Sequence, residues 1–189
     1  NIPCASGNPA VSNPVTMFVE PYQTVEVSIT PSQNPVCEGF PVTFSATAIN
    51  GGSTPVYQWK VNGTNTGMNN AVFTYTPENQ DTVACTLTSS EPCTTSNPAT
   101  SNQLTITVNP PLPVSITIAA DVNSVCEGLP VTFTATAING GTSPEYQWKV
   151  NGSNVGMNNA GFTYTPQNQD IITCSLISSE SCTTGNPAI

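Results

Sequence analysis

One stretch of this chain occurs twice, and it limits the possible folds more than any other feature. Val36-Cys-Glu-Gly-Phe-Pro-Val-Thr-Phe44 through Tyr57-Gln-Trp-Lys-Val-Asn-Gly63 returns as Val125-Cys-Glu-Gly-Leu-Pro-Val-Thr-Phe133 through Tyr146-Gln-Trp-Lys-Val-Asn-Gly152. The offset is 89 residues and runs without a gap to Ile189, with 48 of the 65 aligned pairs from Val36/Val125 onward identical. Self-similarity at a fixed period is the signature of a repeat architecture. A period of this length is one small domain, able to bury a modest core of its own. The chain therefore reads as part of a tandem array.

The same offset sets the domain organisation. Cys4-Ala-Ser-Gly-Asn-Pro-Ala-Val-Ser-Asn13 matches Cys93-Thr-Thr-Ser-Asn-Pro-Ala-Thr-Ser-Asn102. Residues 1–20 are thus expected to be the tail of a preceding repeat, residues 21–110 one repeat, and residues 111–189 a second repeat without its last strand. That strand corresponds to Ser101-Asn-Gln-Leu-Thr-Ile-Thr-Val108, of which Ser12 to Val19 is a spare version. An open sheet edge invites pairing, so a homo-oligomer built by strand exchange is expected. The link Asn109-Pro-Pro-Leu-Pro113 is proline-rich and should be semi-rigid.

Within a copy, period-two alternation predicts strands. Val25, Val27 and Ile29 alternate with polar residues, as do Val42, Phe44, Ala46 and Ala48. Asn50-Gly-Gly52 breaks the chain, and Tyr57-Gln-Trp-Lys-Val61 resumes it up to Asn62-Gly63, a hairpin signal. Phe73-Thr-Tyr75, then Val83, Cys85 and Leu87, then Leu104, Ile106 and Val108 complete the copy. No stripe of helical period occurs. Short strands with regular turns in this span predict an all-β fold of tandem β-sandwich domains.

Composition excludes several functions. Lys60 and Lys149 are the only basic residues against eleven acids, giving a net charge of −9. Nucleic-acid binding needs several Lys or Arg to displace counterions, so no nucleic-acid partner is expected. No apolar run approaches the length of a membrane span, so membrane insertion is not expected. There is no histidine, which removes the commonest acid–base group and metal ligand. The scarcity of Lys and Arg leaves almost no sites for a trypsin-like protease, which suits an extracellular setting.

Trp59 on the third strand and Asp81-Thr-Val-Ala-Cys85 on a later one resemble positions of the immunoglobulin-type sandwich. There, a buried Trp packs near the Cys of an Asp-x-Tyr-x-Cys pattern. Here Val83 replaces the corner tyrosine, and Ala46 stands where the partner Cys would be, so the usual inter-sheet disulfide cannot form. The larger pattern is Val-Cys-Glu-Gly, Val-Thr-Phe-x-Ala-Thr, Asn-Gly-Gly-x-x-Pro-x-Tyr-Gln-Trp-Lys-Val-Asn-Gly and a late Cys-Thr-Thr. It resembles the Ig-like or PKD-like tandem repeats of giant cell-surface adhesins of Bacteroidetes, of the SprB gliding-motility type. The resemblance implies export by the type IX secretion system and display on the cell surface, attached to the outer membrane. It transfers no ligand residue.

The seven cysteines fall into three repeat classes: Cys37/Cys126, Cys85/Cys174 and Cys4/Cys93/Cys182. Cys85 and Cys174 lie on the inward face of a strand and read as buried free thiols. In the immunoglobulin-type fold, Cys37 and Cys93 sit at opposite ends of a domain, beyond the reach of a disulfide. In a head-to-tail array, the lower turn of one copy meets the upper loop of the next. Cys37 with Cys182 is then one expectation, and a local Cys85–Cys93 bridge is the other. Cys126 and Cys4 complete the disulfide candidates, and either pairing favours an oxidising compartment. With no histidine and no Cys-x-x-Cys, zinc is not expected.

Glu38, Asp81, Glu127 and Asp170 recur as acids near one end of each copy and form the candidate calcium set. The alternative for them is a turn cap and solubilising charge, and no other cofactor is expected. Trp59, Trp148, Phe44 and Phe133 are assigned to the core; Tyr57, Phe73 and Tyr75 with Trp59 would otherwise make a sugar-stacking platform. Asn62-Gly-Thr and Asn151-Gly-Ser match a glycosylation pattern but are also ideal hairpin turns. No catalytic constellation is present, so no enzyme is expected. The leading expectation is a structural, adhesive repeat segment: a stiff spacer whose partners are its neighbouring repeats. The alternatives are a module binding surface glycans or protein through Asn50–Pro55 and Glu91–Pro98, or an accessory module of a secreted hydrolase.

Overall fold

The structure is a computed structural model and describes residues 11–189. No helix occurs among the described residues, and so none is long and apolar enough to cross a membrane. The first copy opens with β1 (Gln23–Thr24) and β2 (Glu26–Pro31), followed by β3 (Val36–Cys37) and β4 (Val42–Ile49). Next come β5 (Val56–Val61), β6 (Thr64–Thr66), β7 (Val72–Tyr75) and β8 (Thr82–Thr88). The copy finishes with β9 (Thr94–Thr95), β10 (Ala99–Thr100), β11 (Leu104–Thr105) and β12 (Val108–Asn109).

Two sheets form. One has the order β2-β4-β7; the other is β10-β8-β5-β6, with β11 also on β8. All of these pairings are antiparallel. Successive side chains of a strand point to opposite faces, so the alternating residues identified in the sequence face one another across the gap between the sheets. Val25, Ile29, Val42, Phe44, Trp59, Val83, Cys85, Leu87 and Ile106 are essentially inaccessible. Fully burying one large apolar side chain contributes about 1.5–3 kcal/mol, and this layer carries the copy. The expected tandem immunoglobulin-like, all-β architecture is therefore the one the chain adopts.

Local chemistry explains the turns. Val61 pairs with Thr64 across Asn62 and Gly63, whose φ angles are 51° and 78°. That double positive φ is the two-residue turn matched to strand twist. Gly52 has a different reason: a Cβ there would lie 2.8 Å from the Glu91 backbone nitrogen and closer still to Ser90 Oγ. Only glycine lets the loop after β4 pack on the loop after β8.

The final strand departs from expectation. Leu104 to Val108 is not one continuous strand but two short ones. β11 pairs antiparallel with β8, whereas β12 pairs parallel with β3. Ile106 lies between them, bonded through its N–H to Asp81 O (2.8 Å) and through its C=O to Gln80 N (2.9 Å). The segment thereby closes both sheets at the lower end, the end carrying the Val36–Phe40 turn.

The second copy repeats this pattern as β13 (Leu112–Pro113), β14 (Ser115–Ala120), β15 (Val131–Ile138), β16 (Glu145–Val150), β17 (Ser153–Val155), β18 (Gly161–Tyr164), β19 (Ile172–Ile177) and β20 (Thr183–Thr184). Its sheets are β14-β15-β18 and β17-β16-β19. On the outer edge of β19, where the first copy has β10 and β11, the described residues add only the Leu176–Ala188 bridge. Trp148 is fully buried, but Phe133, assigned to the core with it, is only half-buried. No strand in the described residues covers Phe133 as Ile106 covers Phe44.

Candidate functional site

The junction between the copies is built from the link and two loops. β12 is hydrogen-bonded to β3 of the first copy and β13 to β20 of the second. Only Pro110 and Pro111 separate the two paired segments. Proline has a fixed φ and no N–H, so the unpaired part of the link has little freedom and leaves no amide donor unsatisfied. Leu112 N donates to Cys182 O and Val114 N to Thr184 O, both at 2.9 Å. These bonds hold the Cys182 loop against the link. On the other side, Glu38 N donates to Asn109 O at 3.0 Å and holds the Cys37 turn.

Cys37 and Cys182 thus meet across the junction and form a disulfide, with Cα atoms 5.2 Å apart and a sequence separation of 145. The other cysteines in the described region are free. Cys85 and Cys174 are buried, while Cys93 and Cys126 are exposed; the local Cys85–Cys93 bridge does not form. Cys4, also a disulfide candidate, lies outside the described residues. Burial pushes the Cys85 thiol up to about 11, against a bond from the Gln58 backbone that acts the other way. Cys174 is raised for the same leading reason.

The acids of the candidate calcium set do different work. In the first copy, both Asp81 carboxylate oxygens accept hydrogen bonds. Asn62 Nδ2 donates to one at 2.7 Å; Tyr75 OH (3.2 Å) and Glu78 N (2.9 Å) donate to the other. Asn62 Oδ1 in turn accepts from Thr82 N at 2.9 Å. The arrangement locks the corner before β8, with Tyr75 reaching Asp81 from β7 of the opposite sheet. Asp170 has the same partners in Asn151, Tyr164 and Gln167. Those bonds, led by the one from Tyr164, hold its carboxyl below the usual range. Tyr75 is raised well above the ordinary phenol range, first by burial and then by the Asp81 charge and bond. Tyr164 is raised first by its bond to Asp170. Glu38 and Glu127 are exposed in their turns. Among the described residues, no group of three or more His, Cys, Asp or Glu side chains gathers as a metal set would.

The aromatic residues form a column, not a platform. Phe73 stacks on Trp59 (5.5 Å) and Tyr75 (5.2 Å), and Tyr75 on Phe44 (5.8 Å). Trp59 Nε1 is satisfied by Asn70 O at 2.8 Å. The Asn62 amide is committed to the Asp81 corner, the role played by Asn151 in the second copy. The loops at Asn50–Pro55 and Glu91–Pro98 are tied together through Ser89 and Ser90, with Ser90 N donating to Gly51 O and Thr54 N to Ser90 Oγ, each at 3.0 Å. The equivalent loops of the second copy belong to the Cys182 end, which faces the junction.

The lower end of the second copy is an open groove of about 790 Å³, lined by residues that include Val125, Cys126, Phe133, Asp170 and Ile172. In the first copy, this space holds Leu104 to Val108, anchored by three asparagines absent from the sequence-derived site residues. Asn102 Oδ1 accepts from Ile29 N (2.8 Å), and its Nδ2 donates to Ile29 O (3.2 Å). Asn34 brackets the strand by donating to Thr105 O and accepting from Thr107 N, both at 2.9 Å. Asn79 accepts from Val108 N at 3.0 Å. The signal was their recurrence: Asn34 and Asn79 return as Asn123 and Asn168, and Asn102 is preceded by its counterpart Asn13.

Among solved structures, the chain is similar to the three N-terminal domains of the highly immunogenic outer capsid protein (Hoc) of bacteriophage RB49. Identity is 15% and the TM-score 0.42, covering 82% of this chain and 55% of that one. It is also similar to fibronectin(III)-like modules of Clostridium thermocellum CbhA, with 16% identity, a TM-score of 0.41, and coverage of 82% and 89%. The full ectodomain of mouse nectin-like molecule 4 matches at 14% identity and a TM-score of 0.35, over 86% of this chain and 60% of that one. The chain thus spans about half the length of the phage fragment. Neither a protein-family model nor a curated protein matches the sequence.

Proposed function

We propose that this chain is a spacer segment of an extracellular, cell-surface adhesin, in which sandwich repeats are joined stiffly end to end. The observation that carries the reading is the junction. The link is paired to a strand on each side of Pro110 and Pro111, and the Cys37–Cys182 disulfide closes the same joint. A disulfide across two repeats suits an oxidising compartment outside the cell. The repeat motifs support the more specific reading of a SprB-type gliding adhesin of Bacteroidetes, exported by the type IX system. On this reading the protein is not an enzyme. The loops that would serve a glycan- or protein-binding module are, at the second copy, on the side of the junction.

Stiffness is directly measurable. Residual dipolar couplings fitted separately to each copy give one common alignment tensor for the oxidised protein. Reduction, or Cys37→Ser, separates the two tensors. Distinct tensors in the oxidised protein would overturn the spacer reading, and specific binding on a glycan array would favour the module reading.

A further inference from the structure

Cys37 and Cys182 are 145 residues apart in sequence but directly bonded. A pull that enters before Cys37 and leaves after Cys182 has two covalent routes, and the short one is the disulfide. We propose that this disulfide is a load-bearing bypass. Tension runs through β1, β2 and β3 to Cys37, crosses to Cys182 and leaves through β20, and residues 38–181 cannot be drawn out. Two sandwiches then keep their length under a force that would unfold both if the bond were open. The proposal deepens the spacer reading, on which it rests for the tension itself; the load path follows from the bonds alone.

Most of both interiors lies inside the bypassed stretch. β4 to β19 fall between the two cysteines, and with them Phe44, Trp59, Leu87, Trp148 and Leu176. Among the described residues, only the strands β1, β2, β3 and β20 reach outside it. At about 3.3–3.6 Å per extended residue, a separation of 145 corresponds to about 500 Å of chain. The disulfide replaces that length by the 5.2 Å between the two Cα atoms.

The element that yields first in the oxidised chain is then β2. It is loaded along its own axis, because β1 is paired with β9 beside the Cys93 loop at the upper end and Cys37 lies in the turn at the lower end. Six antiparallel residue pairs, from Glu26 with Ile49 to Pro31 with Phe44, hold β2 on β4. Antiparallel ladder bonds run perpendicular to the strands, so an axial pull shears them together and does not open them one at a time. Asn102, inside the bypassed stretch, adds a second hold. Its Oδ1 accepts from Ile29 N (2.8 Å) and its Nδ2 donates to Ile29 O (3.2 Å).

The bypass opens by reduction. Both cysteines are half-buried and line a cavity of about 340 Å³ with Glu38, Phe40, Pro111 and Thr183, which gives a small thiolate access to the sulfurs. A dithiol attacks as its thiolate, forms a mixed disulfide with one cysteine and releases the other as a thiolate; its second thiol then closes the ring and releases the first cysteine. The protein gains two thiols and the dithiol becomes a cyclic disulfide. Tension is left with only the long route.

The test is single-molecule pulling on the full chain with Cys4→Ser, Cys93→Ser and Cys126→Ser, so that no other exposed thiol exchanges, and with handles coupled enzymatically at both termini. The oxidised chain should release only the residues outside the bypass. In dithiothreitol two further steps should appear, one per sandwich, together adding about 500 Å of contour length. A further Cys182→Ser should give the same two steps without reductant. Asn102→Ala should lower the yield force of the oxidised chain. Phe162→Leu, in the aromatic column of the bypassed second copy, should leave that force unchanged and lower one step of the reduced chain. An oxidised chain that extends as far as the reduced one would overturn the proposal, as would an oxidised yield force that follows Phe162→Leu and ignores Asn102→Ala. Separate alignment tensors with a short oxidised extension would sink the spacer reading and support the bypass; one common tensor with a full oxidised extension would do the reverse.

Discussion

The two copies share most of their sequence, yet their interiors differ at one end. Val36 is 3% exposed and its equivalent Val125 is 36% exposed; Phe44 is fully buried and Phe133 only half-buried. At the upper end the copies agree closely: Leu87 and Leu176 are both inaccessible, and the Ser89 and Ser178 hydroxyls bond equivalent carbonyls. The difference follows the Leu104–Val108 segment. A sandwich of this size is therefore two half-cores in series. The upper half is closed by the loops, and the lower half depends on a strand contributed late in the repeat.

The strongest way to break the comparison is to make the first copy resemble the second. Ile106 is the fully buried residue of the closing segment. Truncating a buried Ile to Ala costs about 2–5 kcal/mol. Ile106→Ala should lower the first copy's stability by that amount and leave the second copy unchanged. Denaturant unfolding followed by Trp59 fluorescence in a Trp148→Phe background reads the first copy alone. The reciprocal Trp59→Phe background reads the second. An equal loss in both copies would show that the two copies do not unfold independently.

A subtler change removes the anchor and keeps the apolar residues. Asn102→Ala leaves the Ile29 N–H and C=O without the amide that bridges the two sheets. An unsatisfied backbone group costs about 1–3 kcal/mol. The same fluorescence assay should show a loss in this range confined to the first copy. No loss would mean that water replaces the amide.

Much of this was legible in the sequence. The repeat, the alternation and Asn62-Gly63 fixed the strands, and Trp59, Trp148 and Phe44 were placed in the core by their positions in those strands. The Asp81 corner was harder. The sequence showed a missing tyrosine at Val83 but not that Tyr75 would reach the Asp81 carboxylate from the other sheet, because that contact depends on how the sheets face one another. The split of Leu104–Val108 was hidden for a similar reason. Its apolar alternation continues unbroken, and the change of partner at Ile106 is set by the sheet edges it meets.

The Asp170 corner gives the pH dependence of the second copy. Its carboxyl is held low by the Tyr164, Gln167 and Asn151 bonds. The folded state therefore favours the ionised form, and the stabilisation is present above the unfolded carboxylate value near 4. It is lost as pH falls through the lower folded value. Tyr164 runs the opposite way. Its raised phenol adds stability below about pH 10 that is lost as pH rises beyond it. Asp170→Asn should flatten the acid limb of the second copy's stability profile, measured as Tm against pH. An unchanged acid limb would place the titrating group elsewhere.

The smallest difference is kinetic and lies in the thiols. Attack on a disulfide reagent requires the thiolate, and Cys85 is both inaccessible and raised to about 11. Cys174 is also buried and raised, but it belongs to a half-core that no strand among the described residues closes. With Cys4→Ser, a chromogenic aromatic disulfide should label Cys93 and Cys126 first, Cys174 next and Cys85 last, as resolved by peptide mass spectrometry. Ile106→Ala should then bring Cys85 toward the Cys174 rate, because it opens the same side of the interior. If Cys85 labels as fast as Cys174 in the parent chain, the lower half of the first copy opens as readily as that of the second, and the closing segment is not what separates them.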